Sequence, residues 1–364
     1  MQTTSPESRN NAPAEDKFQT GPLLPTQGKS LTFKILGDPG RDNAAFVTLD
    51  TGKGITRFLF DCGAGCLGAL DKTDIQNIDY VFFSHLHMDH ISGFDELLRH
   101  TYARAEKPVI IFGPEKTAQI IQKRLQGVLW DRTANLPGEY QVFEIVDGRM
   151  KGFAYKAAEG FSVAHSLGST EISGTILDDK NFQVRSVALD HGTTSMAYVV
   201  RQKSQLSVNT TELSNLQLKP GPWLARLKDP SVPDSELITL NDKEYTFGDL
   251  RQQLLIEKRG ESIAYVTDFL PSSSDIGQLI AELQDCDTVI CENNYRSADA
   301  ELATKNFHAT SADVGKIAKE AHPGQVVLFH LSDRYRRDDW KELIEEVRAE
   351  YPKTYFPQDW LDKI

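Results

Sequence analysis

A dense group of potential metal-ligand side chains follows a short apolar run early in the chain. The group is Ser84-His85-Leu86-His87-Met88-Asp89-His90, and the run before it is Tyr80-Val81-Phe82-Phe83. Branched and aromatic residues of this kind predict a short buried strand, so the group lies where the strand ends and the chain turns. In such a turn the first two histidines can face one ion while the aspartate and the last histidine face another. Imidazole and carboxylate ligands without thiolate suit zinc, and also manganese or iron.

Three later side chains, His191, Asp268 and His330, also stand just after predicted strands and could complete the ligand set. The predicted strands before them are Phe182 to Leu189, Ile263 to Thr267 and Gln325 to Phe329. His165 competes with His191, because it too follows an alternating run. We favour His191, since Gly192 lets the backbone turn away from a metal.

Simpler interpretations of these residues exist. The clustered histidines could form a polar turn that only makes hydrogen bonds, and Asp268 could be a strand-end cap. Ligands are favoured because histidines clustered this densely need a compensating charge.

The elements that must position these side chains alternate between strands and helices, which indicates a layered α/β core. The further predicted elements are a strand at Leu31 to Leu36, a hairpin of Ala44 to Leu49 and Thr56 to Phe60, a helix at Gly93 to Glu106, a strand at Val109 to Phe112, a helix from Pro114 to about Leu125, a strand at Asp287 to Ile290 and a helix at Ser311 to Ala321.

Composition narrows the class of protein. The 364 residues hold 40 Lys and Arg against 52 Asp and Glu, a net charge of −12. Global acidity disfavours a general nucleic-acid binder, so an anionic substrate would need metal charge and a local basic patch. Four cysteines are too few and too scattered for a disulfide framework, and we expect them in the core.

The domain organisation is predicted as a tail, one large domain and an insertion. Residues 1–28 are polar and lack an apolar signal segment, which predicts a disordered tail. No run is long enough to span a membrane, so we expect a cytoplasmic location. Residues 29–364 form the domain. Residues of about 202–261, with four prolines and 8 basic against 9 acidic side chains, are expected to be an inserted arm with no core of its own.

The spacing His-x-His-x-Asp-His after a strand resembles the metallo-β-lactamase superfamily. The resemblance implies an α/β fold, a four-layer αββα sandwich, with two metal ions at strand ends. Zn²⁺ is expected at two per chain, with Mn²⁺ or Fe as alternatives. One ion would be held by His85, His87 and His191 and the other by Asp89, His90 and His330, with Asp268 between them. In such sites the ions lie about 3.5–4 Å apart and activate a water molecule.

Further motifs resemble one branch, the tRNA 3′-processing endonucleases called RNase Z. His330-Leu331-Ser332-Asp333-Arg334-Tyr335 is similar to that family's His-Phe-Ser-x-Arg-Tyr ending, and His308-Ala309-Thr310 to its His-Ser-Thr loop. Cys291-Glu292-Asn293-Asn294 stands where its His-Glu-Ala-Thr loop would be. Lys219-Pro220-Gly221-Pro222-Trp223-Leu224, inside the arm, resembles the Gly-Pro element of its tRNA-gripping exosite.

The resemblance also implies roles for single residues. Asp89 would orient or deprotonate the attacking water, and His308 with Glu292 would protonate the leaving oxygen. Asp61 would orient a ligand histidine, although a turn-capping aspartate explains it nearly as well. Substrate contacts are expected from Arg334, Tyr335 and the Pro220, Gly221, Pro222 element. Arg334, Arg336 and Arg337 could form a local anion site, and a solvated charge run is the alternative.

Three functions follow as hypotheses. The first is a zinc-dependent phosphodiesterase that removes 3′ trailers from tRNA precursors. The second is a related hydrolase of a small ester, cyclic nucleotide, sulfate ester or lactone. The third, a non-catalytic RNA-binding or scaffold protein that kept the fold, is disfavoured because the ligand set is intact. The native metal is left open, as is the choice between a monomer and a homodimer.

Overall fold

The computed structural model describes residues 29–271 and 273–360, and the predicted tail at residues 1–28 lies outside them. The strands are β1 (Leu31–Leu36), β2 (Ala44–Asp50), β3 (Ile55–Phe60), β4 (Tyr80–Phe82), β5 (Val109–Pro114), β6 (Glu139–Val146), β7 (Arg149–Lys156), β8 (His165–Glu171), β9 (Thr175–Asp178), β10 (Phe182–Asp190), β11 (Thr194–Gln202), β12 (Gln205–Val208), β13 (Leu237–Leu240), β14 (Lys243–Thr246), β15 (Leu255–Lys258), β16 (Ser262–Val266), β17 (Thr288–Glu292), β18 (Gln325–Phe329) and β19 (Thr354–Tyr355).

The helices alternate with these strands in most of the chain. They are α1 (Lys72–Gln76), α2 (Met88–Ile91), α3 (Phe94–Thr101), α4 (Thr117–Leu125), α5 (Thr210–Asn215), α6 (Trp223–Lys228), α7 (Phe247–Leu254), α8 (Ser273–Leu283), α9 (Ala300–Lys305), α10 (Ser311–Ala321) and α11 (Arg337–Glu350). Among the described residues, no helix combines the length and apolarity needed to cross a membrane.

Two large sheets divide the chain almost in sequence order. The first has eight strands, β1 to β8 in that order, and the second has seven, in the order β19-β18-β17-β16-β11-β10-β9. Strands β3 to β6 are parallel, as are β16 to β19. Parallel neighbours end at the same edge of a sheet, so residues that follow them are brought together.

Alternating side chains give the first sheet two buried faces. In β3, Phe58 and Phe60 belong to the apolar core shared with the second sheet, whereas Leu59 belongs to a separate core on the opposite face. Aromatic rings fill the space between the sheets, with Phe60 stacked on Tyr265 at 5.3 Å and Phe82 against Tyr198 at 5.1 Å between ring centroids. This period-2 burial on both faces explains the near-continuous apolar strands seen in the sequence.

Helices cover the outer faces of both sheets. Leu97 of α3 and Ile121 of α4 pack on the outer face of the first sheet. Val314 of α10 and Leu343 of α11 pack against the second sheet. The layers therefore run helix, sheet, sheet, helix, and the predicted four-layer αββα sandwich is confirmed.

Two predicted helix boundaries were wrong. The helix expected from Pro114 begins at Thr117, because Pro114 is the last residue of β5 and pairs with Ile145 of β6. The helix expected to run from Gly93 to Glu106 covers only Phe94–Thr101. The strand at Leu31–Leu36 and the helix at Ser311–Ala321 have the predicted bounds.

The expectation that the arm lacks a core was also wrong. Between β11 and β16 the chain forms β12 to β15 and α5 to α7, which enclose an apolar cluster of their own. Its buried members are Leu213, Leu218, Leu227, Phe247, Leu250 and Leu254. Strands β12 and β15 pair with Gln205 opposite Lys258, so the arm leaves and rejoins the body at one place.

Candidate metal centre and active site

The first group of candidate ligands consists of His85, His87 and His191. His85 and His87 lie in the turn after β4, and the Nε2 of His85 is 2.9 Å from the Nδ1 of His87. His191 directly follows β10 on the other sheet. One ligand nitrogen from each lies within 4.8 Å of the others, which brings together the predicted first ion site.

The second group consists of Asp89, His90, Asp268 and His330, whose ligand atoms also lie within 4.8 Å of one another. Asp268 is central to both groups. Its Oδ2 is 3.5 Å from the Nε2 atoms of both His90 and His191, and its Oδ1 is 3.4 Å from the Nε2 of His330. This position, with one group on either side, is the one expected of a shared ligand.

The residues present fit divalent metal ions. The Nε2 atom of His90 is buried and has no hydrogen-bond partner among the described residues, although the Asp89 and Asp268 carboxylates lie within 3.5 Å of it. A buried nitrogen without a hydrogen bond is costly unless a cation or water satisfies it. Imidazole and carboxylate donors at these separations are the set that zinc, manganese and iron accept.

The charges of the cluster also favour the binding of divalent cations. Burial, helped by the charge of His90, lowers the pKa of His85 to about 2. Burial also lowers the pKa of His90, but Asp268 and Asp61 outweigh it and hold that pKa well above its usual value. Burial raises the pKa of Asp268, yet His330 and His90 keep it well below the usual range. The buried carboxylates require positive charge beside them, which a divalent cation provides.

Asp61 fixes the orientation of two candidate ligands. It is fully buried and accepts four hydrogen bonds, from the backbone N–H and Oγ of Ser84, from Nδ1 of His90 and from the hydroxyl of Tyr265, at 2.7–2.8 Å. Because the Ser84 Oγ donates to Asp61, it accepts from Nδ1 of His85 at 3.1 Å. Both imidazoles therefore present Nε2 to the cluster, which is the orienting role predicted for Asp61.

The structure brings His191 to the cluster and leaves His165 away from it. Nδ1 of His191 donates to the carbonyl of Phe307 at 2.7 Å, which leaves Nε2 free to bind a metal. His165 begins β8, where its imidazole is partly exposed and contacts Glu159 at 2.6 Å. The contact with the Phe307 carbonyl could not be predicted, because a backbone partner from a distant loop has no residue signature.

His308 stands beside the ligands with its predicted partner. Its Nδ1 is 2.7 Å from the Oε2 of Glu292, a fully buried carboxylate at the end of β17, and its ring centroid is 4.8 Å from that of His191. Burial lowers the pKa of His308, but the charge and hydrogen bond of Glu292 outweigh it and raise the pKa to about 9. Nδ1 is thereby committed to Glu292, and Nε2 remains the nitrogen that can give a proton to a substrate.

The loop before α10 is held rigidly. Thr310 caps this helix in a reciprocal arrangement with Asp313, and Ser311 Oγ donates to the buried Oδ1 of Asn293 at 2.9 Å. Asn294 Nδ2 lies 3.0 Å from Nδ1 of His330 and orients that ring. Asn293 and Asn294 lie in the loop after β17, where they replace the last two residues of the His-Glu-Ala-Thr pattern. Both asparagines therefore support the site through hydrogen bonds.

Three of the site residues leave their strands through the left-handed region of the backbone. Asp61, Asp268 and His330 have φ angles of 55°, 47° and 51°. Such conformations cost about 1–3 kcal/mol each in non-glycine residues and are concentrated at functional sites. The turn they make directs each side chain toward the gap between the sheets, where the candidate ligands meet.

The residues expected to contact substrate differ in exposure. Arg334 is exposed, with its guanidinium 4.9 Å above the ring of Tyr295. Tyr335 is buried, and its hydroxyl donates to Asp299 at 2.5 Å and accepts from the backbone N–H of Arg296. The hydroxyl of Tyr335 is thus engaged within the protein, and a contact between this residue and substrate stays a prediction. The element Pro220, Gly221, Pro222 precedes α6 in the arm, with both prolines exposed.

Comparisons with known proteins establish the family. Residues 43–206, less than half of the chain, match a family model described as "Anti-Pycsar protein Apyc1". Ribonuclease Z of Deinococcus radiodurans is 37% identical over 331 residues, which cover 91% of this chain and 99% of that protein. This chain belongs to the ribonuclease Z family.

Solved structures agree on the fold of this ribonuclease Z family member. The metallo-beta-lactamase fold protein YhfI from Bacillus subtilis is 15% identical with a TM-score of 0.53, covering 90% of this chain and 95% of that one. The short form of human tRNase Z is 20% identical with a TM-score of 0.50, covering 84% of this chain and 93% of that one. Family membership makes the chain a hydrolase, and family and fold imply divalent metal at the histidine and aspartate cluster.

Proposed function

We propose that this ribonuclease Z family member is a zinc-dependent endoribonuclease that removes 3′ trailers from tRNA precursors. The observation that carries the proposal is the His308–Glu292 pair beside the seven-residue ligand cluster, in a chain 37% identical to a ribonuclease Z over 91% of its length. A proton donor next to a dimetal ligand set is what hydrolysis of a phosphodiester with a poor leaving group requires.

Two ions are assigned to the two ligand groups. His85, His87 and His191 would hold one, Asp89, His90 and His330 the other, and Asp268 would serve both. Ions bound there would supply Lewis-acid stabilisation of phosphoryl charge and would lower the pKa of a bound water. Zinc is proposed because its preferred imidazole and carboxylate ligands make up the whole set.

Proton donation and the orientation of the attacking water are assigned to side chains of the protein. His308 gives the proton on Nε2 to the leaving oxygen, while Glu292 holds Nδ1 and stabilises the protonated ring. The Asp89 side chain is 44% exposed, so its carboxylate can accept a hydrogen bond from the attacking water and orient it. Both imidazole and carboxylate are placed before substrate arrives, which reduces the reorganisation that the reaction needs.

RNA recognition is assigned to two regions. Arg334, Arg336 and Arg337 are exposed beside the ligand His330 and offer a local anion site in an acidic protein. The arm, with its own core and its Pro220, Gly221, Pro222 element, is proposed as the tRNA exosite. A homodimer and a cytoplasmic location remain predictions from the sequence.

One experiment tests the proposal directly. Purified protein is analysed for metal and then assayed in parallel on a 3′-extended pre-tRNA and on bis(p-nitrophenyl) phosphate. Two zinc ions per chain and cleavage at the 3′ end of the tRNA are expected. Turnover of the small ester alone would replace the tRNA proposal with a small-phosphodiester hydrolase, and turnover of neither would indicate a substrate without phosphate.

A further inference from the structure

Phe307 is an exposed aromatic residue at the edge of the ligand cluster. Of the exposed large apolar side chains in residues 29–271 and 273–360, it is the only aromatic one, with 38% of its surface accessible. It directly precedes His308, and its carbonyl accepts the Nδ1–H of the candidate ligand His191. Its ring lies over Gly192, where an added Cβ would be 3.2 Å from the ring carbons. The ring of Phe307 therefore lies beside the candidate ligand His191.

The backbone of Phe307 makes its identity unexpected. Its φ angle of 59° is in the left-handed region, which bulky side chains rarely adopt and which glycine adopts freely. The contact that the site needs from this position, the carbonyl to His191, is a backbone contact that glycine would make equally well. An exposed ring retained at a strained position is explained if the ring itself does something.

We infer that the ring of Phe307 is a stacking surface for the nucleobase next to the scissile phosphate, and this inference rests on the proposed RNA cleavage. A phosphate held at the ligand cluster places the base of an adjoining nucleotide near the loop that carries Phe307 and His308. Unpaired bases are commonly recognised by stacking on aromatic side chains, which tolerates any base. Phe307 is therefore a specificity-determining contact for single-stranded RNA at the cleavage point.

The first test is a series of substitutions assayed on a 3′-extended pre-tRNA. Phe307→Tyr keeps the aromatic face and should retain activity. Phe307→Leu keeps an apolar side chain without that face, and Phe307→Gly keeps the backbone conformation that holds His191. Both should lower kcat/KM by about 10- to 100-fold with metal content unchanged. Leu129→Ala, at an apolar residue 85% exposed in the segment after α4, is the matched control and should have no effect.

Substrates lacking one base distinguish stacking from a structural role. The wild type and Phe307→Leu are compared on RNAs with an abasic nucleotide on the 5′ or the 3′ side of the scissile bond. If Phe307 stacks on a base, the effect of the substitution disappears for one of these substrates, because the missing partner has already removed the contact. An equal loss on all three substrates would overturn the inference.

A binding measurement separates this inference from the proposed function. Two pre-tRNAs with a non-cleavable linkage at the scissile bond carry 2-aminopurine on its 5′ or its 3′ side, and stacking quenches the fluorescence of one of them on binding. Wild-type protein that fails to cleave pre-tRNA refutes the proposed function, and the fluorescence then decides the inference alone. Quenching by the wild type and Phe307→Tyr, lost in Phe307→Leu, supports stacking. Equal quenching by all variants, or quenching by none, rules it out.

Discussion

Asp61 and Asp287 are two aspartates in almost the same local arrangement. Each accepts a backbone N–H and a hydroxyl from one serine, Ser84 for Asp61 and Ser262 for Asp287, at 2.7–2.9 Å. Asp61 lies at the end of the sheets that carries the ligands and additionally holds His90 and Tyr265. Asp287 precedes β17, at the opposite end. Substitution of each aspartate can therefore distinguish the contribution of a buried carboxylate to stability from its contribution to metal binding.

Asp61→Asn should weaken metal binding by about 10- to 100-fold, because an amide cannot accept all the hydrogen bonds that orient the imidazoles of His85 and His90. Zinc affinity measured by competition with a chelator checks this. Asp287→Asn is the control: it should lower the free energy of unfolding by about 1–3 kcal/mol and leave zinc affinity unchanged. Equal zinc affinities in the two variants would contradict the role given to Asp61.

His308 and His165 form a second natural comparison, since each imidazole contacts one glutamate, Glu292 and Glu159, at 2.7 and 2.6 Å. His308→Ala should lower kcat on pre-tRNA by about 10²–10⁴-fold without loss of metal. The defect should shrink on bis(p-nitrophenyl) phosphate, whose leaving group scarcely needs a proton. His165→Ala should change neither rate.

The role of His308 as an acid is refuted by either of two results. One is loss of metal from His308→Ala, which would make it a ligand. The other is full activity of that variant on pre-tRNA.

At the scale of elements, the strand ends that carry the candidate ligands were predictable, whereas the bounds of α3 and the start of α4 were not. His191, His330 and Asp268 were assigned from apolar runs that stop at a polar residue, and the structure brings these three together at one edge. The backbone turn that directs them, with φ near 50° at Asp268 and His330, has no sequence signature in a non-glycine residue. Helix α4 starts at Thr117 because tertiary pairing retains Pro114 in β5, which local preference does not encode.

The arm was misjudged because its apolar residues are spread over short elements. Leu213, Leu227 and Phe247 come from three different helices, none longer than eight residues, so the cluster that they form together is not visible in any one window of sequence. Their convergence becomes visible only when the arm is folded. This cluster is separate from the two cores that the large sheets form.

Deletion of the arm tests its role. Residues between Gln205 and Lys258, which pair across β12 and β15, are replaced by a short glycine-serine link. The body should keep its Tm to within a few degrees and keep both metals, because the ligands lie outside the arm. Turnover of bis(p-nitrophenyl) phosphate should persist while pre-tRNA processing is lost. Loss of both activities in a folded, metal-loaded variant would place the arm in the active site itself.

At the scale of the whole molecule, all four cysteines are buried and free. Cys62 and Cys66 lie in the core outside the first sheet, and Cys286 and Cys291 in the core shared by the sheets. Burial raises the pKa of the Cys66 thiol to about 12, with nearby Asp42 adding to the shift. The predicted core position of these residues agrees with this packing.

The thiols should therefore be unreactive in the native protein. Thiolate is the reactive form, and a raised pKa leaves very little of it at pH 8. With Ellman's reagent at that pH, native protein should show no rapidly reacting thiol, and all four should react after unfolding in guanidinium chloride. A thiol that reacts within seconds in the folded protein would show that one core opens to solvent.

The fold could be predicted because the cores on the two faces of the first sheet follow from the alternation of side chains along its strands, which is visible in a single sequence. The side chains predicted as ligands, from His85 to His330, are brought together in the structure. The groups that support them could not be predicted, since the Phe307 carbonyl and the Tyr265 hydroxyl reach the site from segments distant in sequence. The partner of the Tyr335 hydroxyl could not be predicted for the same reason, because Asp299 lies outside the motif that contains Tyr335.

The sequential order of the first sheet has a consequence for how the protein is made. Strands β1 to β8 pair in chain order, so this half can assemble while the rest is still being synthesised, in the way domains fold from the N-terminus. It would then present His85, His87, Asp89 and His90 as half of a site. The second half supplies His191, Asp268 and then His330, in that order of synthesis. Tight metal binding is therefore expected only after β18 and His330 have been synthesised, and a growing chain without them should be catalytically silent.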